Sequence, residues 1–82
     1  MKKMYLIMFD TYDVIHKKSE LNHIFGVDVY NEQSVKAMLQ KIKDMYSKEQ
    51  IFEEKDNSFK VHVYYGNDLF FYINELNVVE DL

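Results

Sequence analysis

The sequence predicts a single α+β domain in which a small, mainly antiparallel sheet packs against one main helix. The chain has 82 residues, 48% of them hydrophobic, with no proline and only two glycines. This composition is typical of one folded domain and not of a disordered or low-complexity chain. One long segment repeats its apolar residues with the helical period, and the last third alternates as a hairpin does. The predicted domain spans residues 1–82 and includes a shorter N-terminal helical segment and a C-terminal β-hairpin.

The first predicted element is a strand over residues 4–9, a continuous apolar run that ends at Asp10. Such a run is typical of a strand buried on both faces near the centre of a sheet. Six residues are too few for the core of a signal peptide or for a membrane span. We therefore expect a cytoplasmic protein with no membrane partner.

The next segment, residues 13–25, predicts a short helix with Gly26 as its C-cap. Its apolar residues fall roughly on one helical side. They are Val14, Leu21, Ile24 and Phe25. Residues 27–30 alternate apolar and polar side chains and predict a brief strand.

The clearest element is an amphipathic helix over residues 32–48. Its apolar residues fall within an arc of about 120° at 100° per residue, the width of a stripe that faces a core. These residues are Val35, Met38, Leu39, Ile42, Met45 and Tyr46. Asn31 is a favourable N-cap, and Glu32 places a negative charge where the helix dipole stabilises it.

A turn is predicted within residues 50–58, followed by a hairpin of strands 59–65 and 69–75. A two-residue loop would mix apolar and polar groups on both faces, whereas a loop of Gly66, Asn67 and Asp68 separates them. We therefore expect Asn67 or Asp68 to take the left-handed conformation.

This choice of loop assigns the hairpin residues to two faces. The apolar face holds Phe59, Val61, Val63, Tyr65, Leu69, Phe71 and Ile73. The second face holds Lys60, His62, Tyr64, Phe70, Tyr72 and Asn74. Because the second face carries three aromatic rings, it needs a cover from residues 10–30, from the tail 76–82, from a partner protein or from a second copy.

The charge of the chain is acidic and unevenly distributed. The chain has ten lysines, no arginine and fourteen acidic side chains, which gives a net charge of −4. Residues 49–82 hold Lys55 and Lys60 against eight carboxylates, a net charge of −6. A nucleic-acid-binding protein neutralises phosphates and commonly reads guanine with arginine, so we expect no direct nucleic-acid partner.

The acidic last third predicts a surface for a basic protein partner. The candidate partner-binding residues are carboxylates and aromatic rings that we expect close together. They are Glu53, Glu54, Asp56, Asp68, Tyr64, Phe70, Tyr72, Glu75, Glu80 and Asp81. Negative charge beside apolar rings suits the basic, nucleic-acid-binding surface of another protein.

In this acidic composition, and in its use of lysine, asparagine, isoleucine and tyrosine, the chain resembles as a class the phage-encoded inhibitors of host nucleases and the anti-CRISPR proteins. That resemblance implies a viral, non-enzymatic inhibitor in the host cytoplasm.

Two alternatives stay open. The chain could be a structural or regulatory homodimer that pairs through the aromatic hairpin face. It could instead be a metal-dependent enzyme that uses Asp10 and Asp13, which follow the first strand. The three histidines are widely separated, there is no cysteine, and the two glycines are forty residues apart. We therefore predict no bound metal or cofactor.

Overall fold

A computed structural model describes residues 2–25, 31–64 and 66–78. These residues form five strands and one helix in the order β1 (Lys2–Asp13), β2 (Lys18–Ile24), α1 (Glu32–Met45), β3 (Gln50–Lys55), β4 (Ser58–Val63) and β5 (Asn67–Val78). The strands form one sheet in the spatial order β2-β1-β5-β4-β3. Every neighbouring pair is antiparallel.

The two longest strands pair along their whole length at the middle of the sheet. The ladder between β1 and β5 runs from Lys2 opposite Val78 to Asp13 opposite Asn67. Twelve residues at about 3.3 Å each give strands of about 40 Å, and the molecule measures 48 by 25 by 20 Å. This strand pair therefore accounts for most of the length of the molecule.

Helix α1 covers one face of the sheet and forms the core with it. Asn31 is its N-cap, because the Asn31 Oδ1 accepts a hydrogen bond from the Ser34 N–H at 2.8 Å. The helix ends at Met45 rather than at Lys48, and Met45 itself is 73% exposed. The buried residues come from the predicted helical stripe and from the facing strands. They are Ile7, Val35, Leu39, Ile42, Phe59, Val61 and Phe71.

The predicted fold class is wrong about the N-terminal helical segment, and the protein is mostly β with a single helix in the described ranges. Residues 13–25 form the turn and the strand of the β1–β2 hairpin. The Asp13 Oδ1 accepts the N–H groups of Ile15 and His16 and thereby closes the turn. Pairing with β1 then satisfies the backbone of β2, which four scattered apolar residues could not stabilise as a helix. Gly26 and residues 27–30 lie outside the described residues.

The sheet is also larger than predicted, because residues 50–58 form more than a turn. They include strand β3, which pairs with β4 at one edge of the sheet. The chain turns at residues 56–57. The predicted C-terminal hairpin is thus the inner part of a three-stranded unit that joins β1.

The loop between β4 and β5 differs from the predicted one. Val63 pairs with Asn67, so the turn falls between these two residues and is not made of Gly66, Asn67 and Asp68. Gly66 is the residue with a left-handed backbone, at φ +82°. Glycine takes this conformation without steric cost and commonly occupies the last position of a three-residue loop. Val61 pairs with Leu69, and this even shift keeps the predicted faces for the strand residues, whereas Tyr64 lies in the loop and Tyr65 lies outside the described residues.

Candidate functional site: the open face of the sheet

The face of the sheet opposite α1, called the open face below, has no described residue lying over it. Its apolar and aromatic side chains are Met4, Leu6, Met8, Tyr12, Leu21, Ile24, Phe52, Phe70, Tyr72 and Leu76. Polar and charged side chains of the same face lie among them: Asp10, Ser19, Gln50, Lys55, Ser58, Lys60, His62, Asp68 and Asn74. Leu21 is 64% exposed and Ile24 is 58% exposed. The predicted strand 4–9 is therefore not buried on both faces, since Met4, Leu6 and Met8 point away from the helix.

Asp10, on β1 of the open face, lies opposite a β-bulge in β2. The register between β1 and β2 shifts between Phe9 and Thr11, and Asn22 on β2 has a left-handed backbone with φ of 61°. The Asp10 Oδ1 accepts the Asn22 N–H at 2.8 Å and the Tyr72 hydroxyl at 3.1 Å. The Tyr72 hydroxyl also lies 2.7 Å from the Asn22 Oδ1. Alternation along β1 places Asp10 on the open face, and the bulge in β2 supplies the N–H group that holds its carboxylate there.

The pKa of Tyr72 is raised above its usual value of 10.0, first because burial disfavours the phenolate and then because its hydroxyl bonds to the Asp10 carboxylate. Tyr72 is therefore a neutral hydroxyl donor at physiological pH. Its hydroxyl lies between the Asp10 carboxylate and the Asn22 side chain on the open face.

A row of side chains crosses the sheet at the level of Phe70. Asp10 and Lys60 are the direct neighbours of Phe70 on β1 and β4, and Phe52 follows Lys60 on β3. The Lys60 Nζ lies 5.5 Å from the centroid of the Phe70 ring and 2.7 Å from the Glu53 Oε2. This ion pair lowers the pKa of Glu53. Together these groups line a shallow cavity of about 250 Å³.

The next row carries the second acidic group of the open face. Tyr12 and His62 flank Asp68 on β1 and β4. The His62 Nδ1 lies 2.5 Å from the Asp68 Oδ1, in a half-buried position. Asp68 thus has a hydrogen-bonding partner on the neighbouring strand.

The predicted acidic residues are divided between both faces and one edge of the sheet. Three of them pair individually with lysines: Glu53 with Lys60 at 2.7 Å, Glu54 with Lys43 at 3.9 Å and Glu75 with Lys3 at 3.0 Å. Asp68 contacts His62, and Asp56 lies in the turn between β3 and β4. Glu80 and Asp81 lie outside the described residues. The described carboxylates are therefore largely offset one by one by the chain's own cations.

Of the predicted aromatic residues, Phe70 and Tyr72 lie together on the open face, with ring centroids 5.0 Å apart. Tyr64 lies in the loop after β4 and is 84% exposed. The sequence interpretation missed Leu21, Ile24 and Phe52, because it assigned them to a helix and to a turn. The unbroken apolar run over residues 4–9 was a signal of apolar side chains on both faces of β1, and one of those faces is this site.

The two carboxylates of the enzyme alternative do not converge. Asp10 points to the open face, whereas Asp13 is three residues further along β1 and lies beside the helix-side residues Thr11 and Leu69. The pKa of Asp13 is lowered by the backbone N–H and the ring of His16. Asp13 closes a turn, and among the described residues no three His, Cys, Asp or Glu side chains form a metal-binding group.

No protein-family model matches this sequence, and neither a curated protein nor a solved structure was found to be similar to the chain. Within residues 2–25, 31–64 and 66–78, no helix has the length and apolar character needed to cross a membrane.

Proposed function

We propose that this chain is a non-enzymatic binding module that docks another protein surface on the open face of its sheet. The observation that carries the proposal is the exposure of Leu21, Ile24 and Tyr12 beside the half-buried rings of Phe70 and Tyr72. Large contiguous apolar patches are rare on monomeric proteins and commonly mark interaction sites. Aromatic residues among a few charged groups are also the usual composition of a binding hot spot.

The edges of the sheet are less suited to a partner. Strand addition needs a regular edge strand with a free row of backbone groups. The edge strand β2 is bulged at Asn22, with φ of 61°, and the edge strand β3 is irregular at Glu53, with φ of 48°. Both irregularities disturb the row of backbone groups that an added strand would need, which supports face-to-face docking.

The inhibitor hypothesis from the sequence shares the binding role with this proposal but uses another surface. An inhibitor that occupies a basic groove needs carboxylates that are free to face the partner. Glu53, Glu54 and Glu75 each contact a lysine of the chain itself. The exposed apolar and aromatic side chains of the open face therefore support a binding role better than the acidic residues do. A cytoplasmic location stays a prediction.

Substitutions at two exposed residues test the proposal. The variant Leu21→Glu with Ile24→Glu adds charge to the open face at positions that contribute little to the core. Met45→Glu is the matched control, because Met45 is 73% exposed on the helix side. Each tagged protein is co-expressed with a second copy that carries a different tag. The tagged protein is then captured from the cells, and the proteins bound to it are quantified at low and high salt.

We expect the wild type and the Met45→Glu control to capture the same protein, whether a second copy or another chain. The Leu21→Glu, Ile24→Glu variant should lose it, with a circular dichroism spectrum like that of the wild type. Undiminished capture by the open-face variant, or loss with the control alone, would show that binding uses another surface.

A further inference from the structure

We infer that the surface docked on the open face is a second copy of this chain, related to the first by a two-fold axis that runs along β5 over Phe70. The inference rests on the proposed function, since it names the occupant of the same face. It follows from the order of side chains in the row that crosses the sheet at Phe70.

Read outwards from its centre, this row has charges of opposite sign in the two directions, followed by an apolar residue on each side. Phe70 is central, with the acid Asp10 on one side and the base Lys60 on the other. Beyond them lie two apolar residues, Leu21 on β2 and Phe52 on β3, which line the same cavity. From β2 to β3 the row therefore reads apolar, acidic, aromatic, basic, apolar.

A two-fold axis turns this pattern into self-complementarity. An axis along the central strand β5 places β1 of one copy over β4 of the other, and β2 over β3. Asp10 then faces Lys60 of the second copy, and symmetry produces this ion pair twice. Leu21 faces Phe52, and the two Phe70 rings meet on the axis. An axis across the strands would instead oppose Asp10 to Asp10 and Lys60 to Lys60, so that this row would form no ion pair between the copies.

The groups in the row have the capacity for these contacts. Lys60 already bonds Glu53, but an ammonium group has three donors. Asp10 is held in place by the Asn22 N–H and the Tyr72 hydroxyl, so little side-chain freedom is lost when it pairs. In the next row Asp68 lies on the axis and faces Asp68 of the second copy, and the His62 Nδ1 of its own chain lies 2.5 Å from the Asp68 Oδ1.

The area of the open face is sufficient for a specific dimer. Five strands at about 4.8 Å spacing, over the roughly 20 Å length of β4, give a footprint of about 500 Å² on each copy. The two copies together bury about 1,000 Å², the lower limit for a specific protein interface. Packed sheets in such a sandwich lie about 10 Å apart, a distance that aspartate and lysine side chains can bridge together.

Charge reversal tests the pairing of Asp10 with Lys60. Sedimentation equilibrium at micromolar concentrations should show the wild type as a dimer. Asp10→Lys or Lys60→Asp alone opposes like charges at both symmetric contacts and should raise the dissociation constant at least about tenfold. An equimolar mixture of the two variants restores both contacts and should form a heterodimer. The doubly substituted chain should dimerise by itself.

Recovery in the mixture excludes simple damage to the fold as the cause, because a misfolded variant would not be rescued by another. Met45→Glu, on the helix side, should leave the dimer intact. A wild type that sediments as a monomer throughout, or variants that do not recover on mixing, would overturn the inference.

If the wild type is monomeric while Leu21→Glu with Ile24→Glu still abolishes capture of another protein, only the inference fails. If the variant Leu21→Glu with Ile24→Glu still dimerises and still captures every other protein that the wild type binds, both proposals are refuted.

Discussion

Gly66 joins the two loops at one end of the sheet. Its carbonyl oxygen accepts the Val14 N–H at 2.9 Å, so the β4–β5 loop is tied to the β1–β2 turn. Its φ is +82°, and a Cβ at this position would lie 3.1 Å from the Ile15 Cδ1. Both the backbone conformation and the neighbouring side chain therefore favour glycine here. This need is met at Gly66, in the loop between Val63 and Asn67.

Asp13 makes the turn between β1 and β2 sensitive to acid. The pKa of Asp13 is lowered from 3.8, chiefly because its carboxylate accepts the backbone N–H of His16 and contacts the His16 ring. The folded state therefore binds this proton less tightly than the unfolded state. Its contribution to stability is present above pH 3.8 and is lost as the pH falls through the lower, folded-state pKa.

We predict that Asp13→Asn is less stable than the wild type at neutral pH and that this difference shrinks as the pH falls below 3.8. The asparagine oxygen can still accept the two backbone N–H groups, so the substitution mainly removes the charge. Urea unfolding from pH 6 to pH 3 would measure the difference. A difference that stays constant over this range would contradict the assignment.

Helix α1 depends on its N-cap as well as on its apolar stripe. The Asn31 side chain accepts the Ser34 N–H at 2.8 Å, and Glu32 and Lys36 form an ion pair at 3.8 Å on the exposed side. Such an exposed pair contributes little, whereas a capping side chain satisfies a helix N–H group that has no partner within the helix. The cap is therefore the more important of the two local features.

We predict that Asn31→Ala lowers the free energy of unfolding by about 1 kcal/mol, because the cap hydrogen bond is lost. Asn31→Asp is the matched control, since aspartate caps equally well and its charge suits the helix N-terminus. Equilibrium urea unfolding of the three proteins gives the comparison. If Asn31→Asp lowered the free energy of unfolding as much as Asn31→Ala does, the side-chain amide of Asn31 would contribute something other than the cap.

The whole molecule is stabilised around Phe71, the residue where the helix and the sheet meet. The Phe71 ring lies 5.3 Å from Phe59, 5.5 Å from Phe9 and 5.8 Å from each of Phe25 and Tyr46, between ring centroids. Contacts of this kind add to the apolar burial. Phe70, the next residue along β5, points to the open face and is only half-buried.

We predict that Phe71→Ala lowers the free energy of unfolding by about 3–5 kcal/mol. This is a large part of the roughly 4–12 kcal/mol of unfolding free energy expected for a domain of this size. Phe70→Ala is the control of the same residue type on the opposite face, and it should cost about 1–2 kcal/mol in dilute, monomeric protein. Thermal and urea unfolding would measure both. Equal costs would mean that the two faces of β5 are equally buried in the monomer.

The candidate site was only partly predictable. The separation of the hairpin faces placed Phe70, Tyr72, Lys60 and His62 together, because alternation in a strand decides which side chains share a face. Leu21 and Phe52 were not predicted, since the segments that contain them have no clear strand period. The hydrogen bond that holds the Asp10 carboxylate comes from Asn22, whose role appears only when β2 pairs with β1.

The sequence by itself determined helix α1, the N-terminal strand and the two faces of the β4–β5 hairpin. Each of these depends on a short-range period or on one capping residue, which can be read within a dozen positions. Only the tertiary structure decided that residues 18–24 and 50–55 are strands, and that Glu53, Glu54 and Glu75 each contact a lysine. These features arise from contacts between residues distant in sequence or across a strand pair, and local patterns carry no information about which strand or charge will be the neighbour.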